Sequence, residues 1–232
     1  MDLDKETIQE LESKMADDLL VYLNSDIPFN LLLGESPSKE DKSKINITDI
    51  SNTLSKICRF GGRTKEFYSV AQHSSFVSEI AHTLARDRFD SIGSKEHKKC
   101  AILVSKLLGL LHDCAEAFTG DIIKPLKQTI KVYYSSSIYS IEDIEKNILN
   151  ALYSVYGIST LIERFNEYDM ASIELIVRQA DVLALYWEAI QLTGTKGTSW
   201  VKPLDTIDLG SMQTNAYRFR SKFYSLLDSL SI

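Results

Sequence analysis

His112 and Asp113 stand side by side at the end of an almost wholly apolar stretch. The spacing predicts a buried helix over 95–113, whose apolar residues are Ala101, Ile102, Leu103, Val104, Leu107, Leu108, Leu110 and Leu111. Two ionisable groups that emerge from such a helix are costly to bury unless something pairs with them. Imidazole and carboxylate are both good ligands for a divalent cation, so the pair suggests part of a metal site.

Two further residues offer the missing ligands. His73 lies on the apolar stripe of a predicted helix and therefore points inward, whereas His82 is nine residues later and faces the opposite side. Asp181 touches the apolar stripe of a later helix. The two imidazoles and two carboxylates suit a hard or borderline divalent ion and leave coordination positions for water and substrate. The set contains no cysteine, which argues against a structural zinc site.

Each of these residues also has an ordinary structural explanation. An inward histidine is more often hydrogen-bonded within a core than bound to a metal. Asp181 has Arg178 three residues before it as an ion-pair partner, and an adjacent His-Asp pair is common by chance. Composition and spacing alone leave a metal site and a set of paired core residues both open.

Helices must bring these residues together, and the chain is rich in helical patterns. Ser69 and Gln72 form a capping-box pattern before the helix that carries His73, whereas the polar start of the 95–113 helix predicts an exposed His97. Further helices are predicted over 5–24, from Thr48 as N-cap through Ile57, and over 137–156, 159–167, 171–192 and Ala216 to Leu230.

No convincing strand pair or internal repeat is visible, so we predict an all-α fold. One domain is expected over 1–232. It would consist of an N-terminal helix and loop (1–47), a helical core (48–195) and a C-terminal amphipathic helix (196–232). The apolar N- and C-terminal helices could either cap the core or form the interface of a homo-oligomer, so both alternatives stay open.

Composition excludes several functional classes. The 232 residues include 26 basic and 32 acidic ones, for a net charge of −6, which argues against a general nucleic-acid binder. Three scattered cysteines predict a reducing compartment without a disulfide framework. No long apolar run predicts a membrane span, and the polar, acidic start is unlike a signal peptide, so we expect a soluble cytoplasmic protein.

The motifs around these residues resemble a known superfamily. His73, His112-Asp113 and Asp181 in a helical chain look like the ligands of HD-domain metal phosphohydrolases. The stretch from His112 to Asp121, followed by Pro125-Leu126-Lys127, resembles the HD-x-x-E-x-x-T-G-D…P-x-K signature of bacterial 5′-deoxynucleotidases and their phage relatives. The segments 68–74 and 178–181 resemble the first-histidine motif and the K-Q-A-D segment of that family.

The resemblance implies a role for each matching residue. His73, His112, Asp113 and Asp181 would hold one divalent ion, of which Co, Mn, Mg, Zn and Fe are all candidates. Glu116, one helical turn after Asp113, would transfer protons, and Asp121 would assist in proton delivery or positioning. A small phosphorylated nucleotide would be the substrate, and its binding residues would be Arg59, Phe60, Arg63, Lys124 and Lys127.

Phe60 is the main departure from the family pattern. Bacterial 5′-deoxynucleotidases have a tryptophan after the arginine, where the 2′-hydroxyl of a ribonucleotide would lie. The adjoining Gly61-Gly62-Arg63 turn looks closer to phage-type members, some of which release triphosphate from dATP, and Arg63 would then bind a longer phosphate tail. We expect hydrolysis of deoxynucleoside monophosphates. The alternatives are a triphosphohydrolase, a catalytically silent nucleotide-binding regulator and, with little support from His82 and His97, a di-iron oxygenase.

Overall fold

The computed structural model describes residues 44–90, 93–134, 137–193 and 215–232, together with two short strands. The strands β1 (Leu20–Tyr22) and β2 (Pro28–Asn30) pair antiparallel. The α-helices are α1 (Ile47–Leu54), α2 (Val70–Phe89), α3 (Lys95–Leu111), α4 (Glu116–Thr119), α5 (Lys124–Lys127), α6 (Ile141–Val155), α7 (Ile158–Ile162), α8 (Glu167–Thr193) and α9 (Ala216–Leu230). The all-α prediction is confirmed.

The most extensive contact between helices of the described residues lies between α2, which carries His73, and α3, which ends directly before His112. Gly109 makes this contact possible. A methyl group added at Gly109 would lie 3.1 Å from the Ala81 side chain and 3.2 Å from the Ser78 backbone. The two helix backbones can therefore approach closely at one point, a single helical turn before His112.

Helix α8 packs on both α2 and α3, and α9 packs on α1 and α3. The core joins all of these helices, so the C-terminal helix belongs to the same apolar cluster as the site helices. Its largest fully buried side chains are Phe76, Phe89, Phe219, Phe223, Ile47, Ile50, Leu54, Leu107, Leu110, Leu111 and Ile148.

Two predicted helices are wrong in part, because strands occupy some of their residues. The helix predicted over 137–156 begins only at Ile141, because 137–140 form the strand β4, which pairs antiparallel with β3 (Lys131–Tyr134). The helix predicted over 5–24 is contradicted at 20–22, which is strand. Its remaining residues lie outside the described part of the chain.

The helix ends follow capping chemistry. The capping box of Ser69 and Gln72 is confirmed, with both reciprocal hydrogen bonds present. Helix α1 is capped by Asn46 rather than by the predicted Thr48, because the Asn46 side chain accepts from the Thr48 backbone N–H. None of the helices in the described part of the chain has the length and hydropathy needed to cross a membrane.

Candidate active site

His73 and His112 meet at the centre of the site. Their Nε2 atoms are 3.2 Å apart, and His73 is fully buried. His112 lies just after the last residue of α3, where its Nδ1 is 2.9 Å from the Gly109 carbonyl oxygen, which can only accept. That contact assigns the Nδ1 proton and leaves Nε2 free to bind an electrophile. The predicted inward orientation of His73 is confirmed.

Both carboxylates of the predicted ligand set adjoin these imidazoles. Asp113 Oδ2 lies 3.1 Å from His112 Nε2 and 3.3 Å from His73 Nε2, and Asp181 Oδ1 lies 3.1 Å from His73 Nε2. One ligand atom each from His73, His112 and Asp181 fits within 4.8 Å, a group that could hold a metal ion. The alternative ion pair of Asp181 with Arg178 is absent from the described residues.

The donor set fits a divalent cation on chemical grounds. Two unprotonated imidazole nitrogens that are 3.2 Å apart repel each other, because each presents a lone pair. A proton or a metal ion that they share with the nearby carboxylates removes this repulsion. Two carboxylates beside them supply negative charge, and no thiolate is among the donors. The cluster could therefore hold one divalent ion, whose identity the donors do not select.

Protonation shifts show how strongly these groups interact. Burial lowers the pKa of His112, but Asp113 and Asp181 outweigh burial and raise it to about 9. Burial likewise opposes protonation of His73, and the carboxylates of Glu188, Asp113 and Asp181 still raise its pKa well above the usual value. In the opposite direction, the imidazoles outweigh burial and hold the pKa of Asp113 and of Asp181 well below the usual range.

Arg59 enters the site from a tight loop. The two ends of the loop are joined by an isolated antiparallel β-bridge between the backbones of Cys58 and Ser69. The Arg59 backbone N–H also donates a hydrogen bond to the Tyr68 carbonyl. Phe60 has φ 56° and ψ 24°, a left-handed conformation that is rare for a bulky residue, and Gly61 continues it with φ 58°. This sharp turn lets the chain reverse directly after Arg59.

The Arg59 guanidinium is buried among acids. Its nitrogens lie 3.6 Å from Asp113, 3.7 Å from Asp121 and 3.6 Å from Glu188. These separations are longer than good hydrogen bonds, and Arg59 Nε has no hydrogen-bond partner among the described residues. Arg59 therefore retains donors for an anionic ligand, and its carboxylate neighbours raise its pKa despite burial.

Glu116 starts the short helix α4 beside Asp113 and is 4% exposed. Burial, Asp113 and Asp121 raise its pKa to about 9 against the opposing charge of Lys127. Lys127 lies 3.5 Å from Glu116 Oε1 and 2.8 Å from Glu145 Oε1. Glu116 Oε2 is buried and has no hydrogen-bond partner among the described residues. Burial also raises the pKa of Asp121, with Asp113 adding to it.

A cavity of about 530 Å³ opens onto His112, Asp113 and Glu116. Its other walls come from α6 and α8, which contribute Glu142, Glu145, Lys146, Leu149, Asn150, Tyr153, Glu174 and Arg178. This volume is in the usual range for a small-molecule site. Phe60 and Arg63, which the sequence predicts as substrate-binding residues, do not line this cavity; residues of α6, which no sequence motif indicated, do.

Several predicted residues stand apart from the cluster. Arg63 and Lys124 are exposed, and no side-chain contact joins either to the cluster in the described part of the chain. Phe60 is half-buried, with the Arg59 guanidinium 5.8 Å from its ring centre. The expectation of an exposed His97 is wrong: it is about one-third exposed and its Nε2 is 3.1 Å from Asp169. Roles for Phe60, Arg63 and Lys124 stay predictions.

The fold places two acidic residues beside the site that no sequence motif indicated. Glu188 lies on α8, is fully buried and contacts both His73 and Arg59. Glu145 on α6 binds Lys127 and accepts a hydrogen bond from the Thr119 hydroxyl. The sequence could have indicated Glu188, because this residue follows Asp181 by seven positions. It therefore lies on the same face of the helix, two turns later.

A family model described as 5′-deoxynucleotidase YfbR-like matches residues 47–207, more than half of the chain. The chain belongs to the YfbR-like 5′-deoxynucleotidase family. The HD-domain resemblance seen in the motifs is thereby confirmed. Family membership supports a phosphohydrolase that acts on nucleotides.

Individual relatives agree with this membership at low identity. The uncharacterized protein YfdR of Escherichia coli (strain K12) is 28% identical over 162 residues, 70% of this chain and 69% of YfdR. The uncharacterized protein RCAP_rcc00048 of Rhodobacter capsulatus is 28% identical over 152 residues, 65% of this chain and 64% of the relative. The 5′-deoxynucleotidase PBPRA2627 of Photobacterium profundum is 32% identical over 136 residues, 53% of this chain and 61% of the relative.

Proposed function

We propose that this chain removes the 5′-phosphate from deoxynucleoside monophosphates in a metal-dependent hydrolysis. The observation that carries the proposal is the convergence of His73, His112, Asp113 and Asp181 beside Glu116. One buried carboxyl oxygen of Glu116 has no hydrogen-bond partner among the described residues. A chain of the YfbR-like family with this donor set has the parts that phosphomonoester hydrolysis requires.

His73, His112, Asp113 and Asp181 are the residues that would hold the ion. A divalent ion bound there would polarise a phosphoryl oxygen and lower the pKa of a bound water, which makes water a nucleophile near neutral pH. His112 presents Nε2 because Nδ1 is occupied by the Gly109 carbonyl. Asp113, at the junction of α3 and α4, connects the ligand set to Glu116 three residues later.

Arg59 would bind the phosphate. A guanidinium offers a planar fork of N–H donors that matches two phosphate oxygens. Three carboxylates surround it at 3.6–3.7 Å, so they hold it in place without using up its donors. In this arrangement Asp121 acts mainly through Arg59, as a positioning residue.

Glu116 would supply the proton that the departing 5′-oxygen needs. A carboxyl with a pKa of about 9 is protonated near neutral pH and can act as a general acid. Lys127 limits this shift, because its ammonium group lies 3.5 Å from the same carboxyl. Water attacks phosphorus as the bond from phosphorus to the 5′-oxygen breaks. The proton that the attacking water loses replaces the one given by Glu116, and the products are a deoxynucleoside and inorganic phosphate.

The cavity beside the ligand set would take the nucleoside. Asn150 offers an amide for hydrogen bonds to a base, and Leu149 and Tyr153 offer apolar and aromatic surface. Four glutamates and Asp113 line the cavity, against two cationic side chains, Lys146 and Arg178. Arg63, the residue predicted to bind a longer phosphate tail, is exposed and has no side-chain contact with the cluster in the described part of the chain, and for that reason we favour monophosphates over triphosphates.

Product analysis tests the proposal. Protein treated with EDTA and then supplied with Mn²⁺, Co²⁺ or Mg²⁺ would be incubated with all dNMPs, NMPs and dNTPs, and the products followed by ³¹P NMR. We expect inorganic phosphate from dNMPs, less from NMPs, and none without added metal. Triphosphate released from dNTPs would replace the proposal by a triphosphohydrolase, and nucleotide binding without any turnover would indicate a silent regulator.

A further inference from the structure

Glu188 is an acidic residue beside the site whose side chain has no exposed surface. Its Oε1 lies 2.7 Å from His73 Nδ1 and accepts a hydrogen bond of 2.9 Å from the Tyr68 hydroxyl. A buried carboxylate is expensive unless it is paired, so these partners have a definite energetic role. Because His73 uses Nδ1 for Glu188, only Nε2 is left to face His112 and Asp181.

The second oxygen of the same carboxylate connects to Arg59. Arg59 Nη2 lies 3.6 Å from Glu188 Oε2, an atom without a hydrogen-bond partner among the described residues. The Arg59 backbone N–H also donates to the carbonyl of Tyr68, the residue whose hydroxyl reaches Glu188. One carboxylate thus joins a metal-ligand candidate to the phosphate-binding candidate.

We propose that Glu188 is a positioning residue that fixes the tautomer and direction of the His73 ring for metal binding and holds Arg59 beside it. This inference rests on the proposed function, because it assumes that His73 binds a metal ion. A carboxylate that accepts the second N–H of a ligating imidazole orients the ring and makes the ligand nitrogen more basic. Removal of the Glu188 charge therefore weakens both metal binding and phosphate binding.

The chain contains a matched control on the same helix. Asp169 is also buried and also pairs with a histidine, His97, through a 3.1 Å contact. It precedes Asp181 by twelve residues, about 18 Å along the axis of α8. Asp169→Asn thus removes the charge of a buried histidine-paired carboxylate without touching the ligand set.

The test measures metal affinity directly, by calorimetric titration of Mn²⁺ into EDTA-treated and then dialysed protein. Glu188→Gln keeps the size of the side chain and loses the charge. We expect its Mn²⁺ affinity to fall about 10- to 100-fold, the usual effect of losing such a partner, while Asp169→Asn stays at the wild-type value. If circular dichroism shows that Glu188→Gln does not fold, Glu188→Asp, which draws the carboxylate away from His73, carries the same expectation.

Binding of inorganic phosphate at saturating Mn²⁺ tests the connection to Arg59, and we expect weaker binding to Glu188→Gln than to the wild type. Wild-type Mn²⁺ affinity in Glu188→Gln would overturn the inference and leave the proposed function standing. Unchanged phosphate binding would overturn the part that concerns Arg59. Failure of the wild type itself to bind Mn²⁺, Co²⁺ or Mg²⁺ would overturn the inference and the proposed function together.

Discussion

Metal binding to this site must displace protons, and its affinity should therefore rise steeply with pH. Protein stripped of metal holds His112 with a pKa of about 9 and His73 with a pKa well above its usual value, because carboxylates surround both imidazoles. A metal ion binds only the neutral imidazole, so each ring must lose its proton first.

The magnitude follows from the His112 pKa alone. With a pKa of about 9, about 1% of His112 is neutral at pH 7 and about 10% at pH 8, so apparent metal affinity should rise about tenfold over that interval. His73 titrates in the same direction and adds to the effect. Calorimetric titration with Mn²⁺ in HEPES and in Tris, whose ionisation enthalpies differ, reports the protons released. Equal affinity at pH 7 and pH 8, with no proton release, would refute the reasoning.

The stability of the metal-free protein should change in the opposite direction. A His112 pKa raised from 6.5 to about 9 contributes stability that is complete below pH 6.5 and lost as pH rises through about 9. The loss amounts to about 3 kcal/mol, or about 6–12 °C in melting temperature for a chain of this size. Glu116, whose raised pKa opposes ionisation, adds a loss of the same sign. Thermal melts of EDTA-treated protein between pH 6.5 and 9 measure this, and a melting temperature that rises with pH would contradict it.

Three substitutions extend the test. Glu116→Gln should lower kcat by about 10²–10⁴ in a phosphate-release assay, with Mn²⁺ affinity retained; a normal kcat would remove Glu116 from proton transfer. Gly109→Ala should lower the free energy of unfolding by about 1–3 kcal/mol in urea titrations, because the new methyl group meets Ala81; an unchanged midpoint would show that α2 and α3 can separate freely. Asn150→Ala should raise KM for a dNMP about tenfold while inhibition by inorganic phosphate is unchanged; equal weakening of both would place the nucleoside elsewhere.

The sequence could predict most of the helical elements and the inward orientation of His73, because both depend on local periodicity. His73 lies on an apolar stripe and Ser69 caps its helix through Gln72, and both features are confirmed. Each of these signals spans only a few turns of helix. The family motifs around His112 are likewise continuous in sequence, and the family they indicated is confirmed.

Contacts between segments far apart in the sequence could not be predicted from local sequence patterns. Glu188 meets His73 across 115 residues, and nothing near either residue specifies that pairing. The β3–β4 hairpin was missed because Ile138 continues the helical spacing of Ile141 and Ile144, although Val132 and Tyr133 also fit a strand. His97 was expected in solvent, and only the packing of α8 supplies Asp169 beside it.

The central claim is that His73, His112, Asp113 and Asp181 support metal-dependent attack of water on a deoxynucleotide phosphate. Phosphate release from dAMP in H₂¹⁸O tests it most directly, with EDTA-treated protein before and after addition of Mn²⁺ or Co²⁺. We predict no release before addition, release after it, ¹⁸O in the phosphate rather than in the nucleoside, and no release from Asp113→Asn. Release that is independent of metal, or ¹⁸O in the 5′-hydroxyl, would contradict the claim.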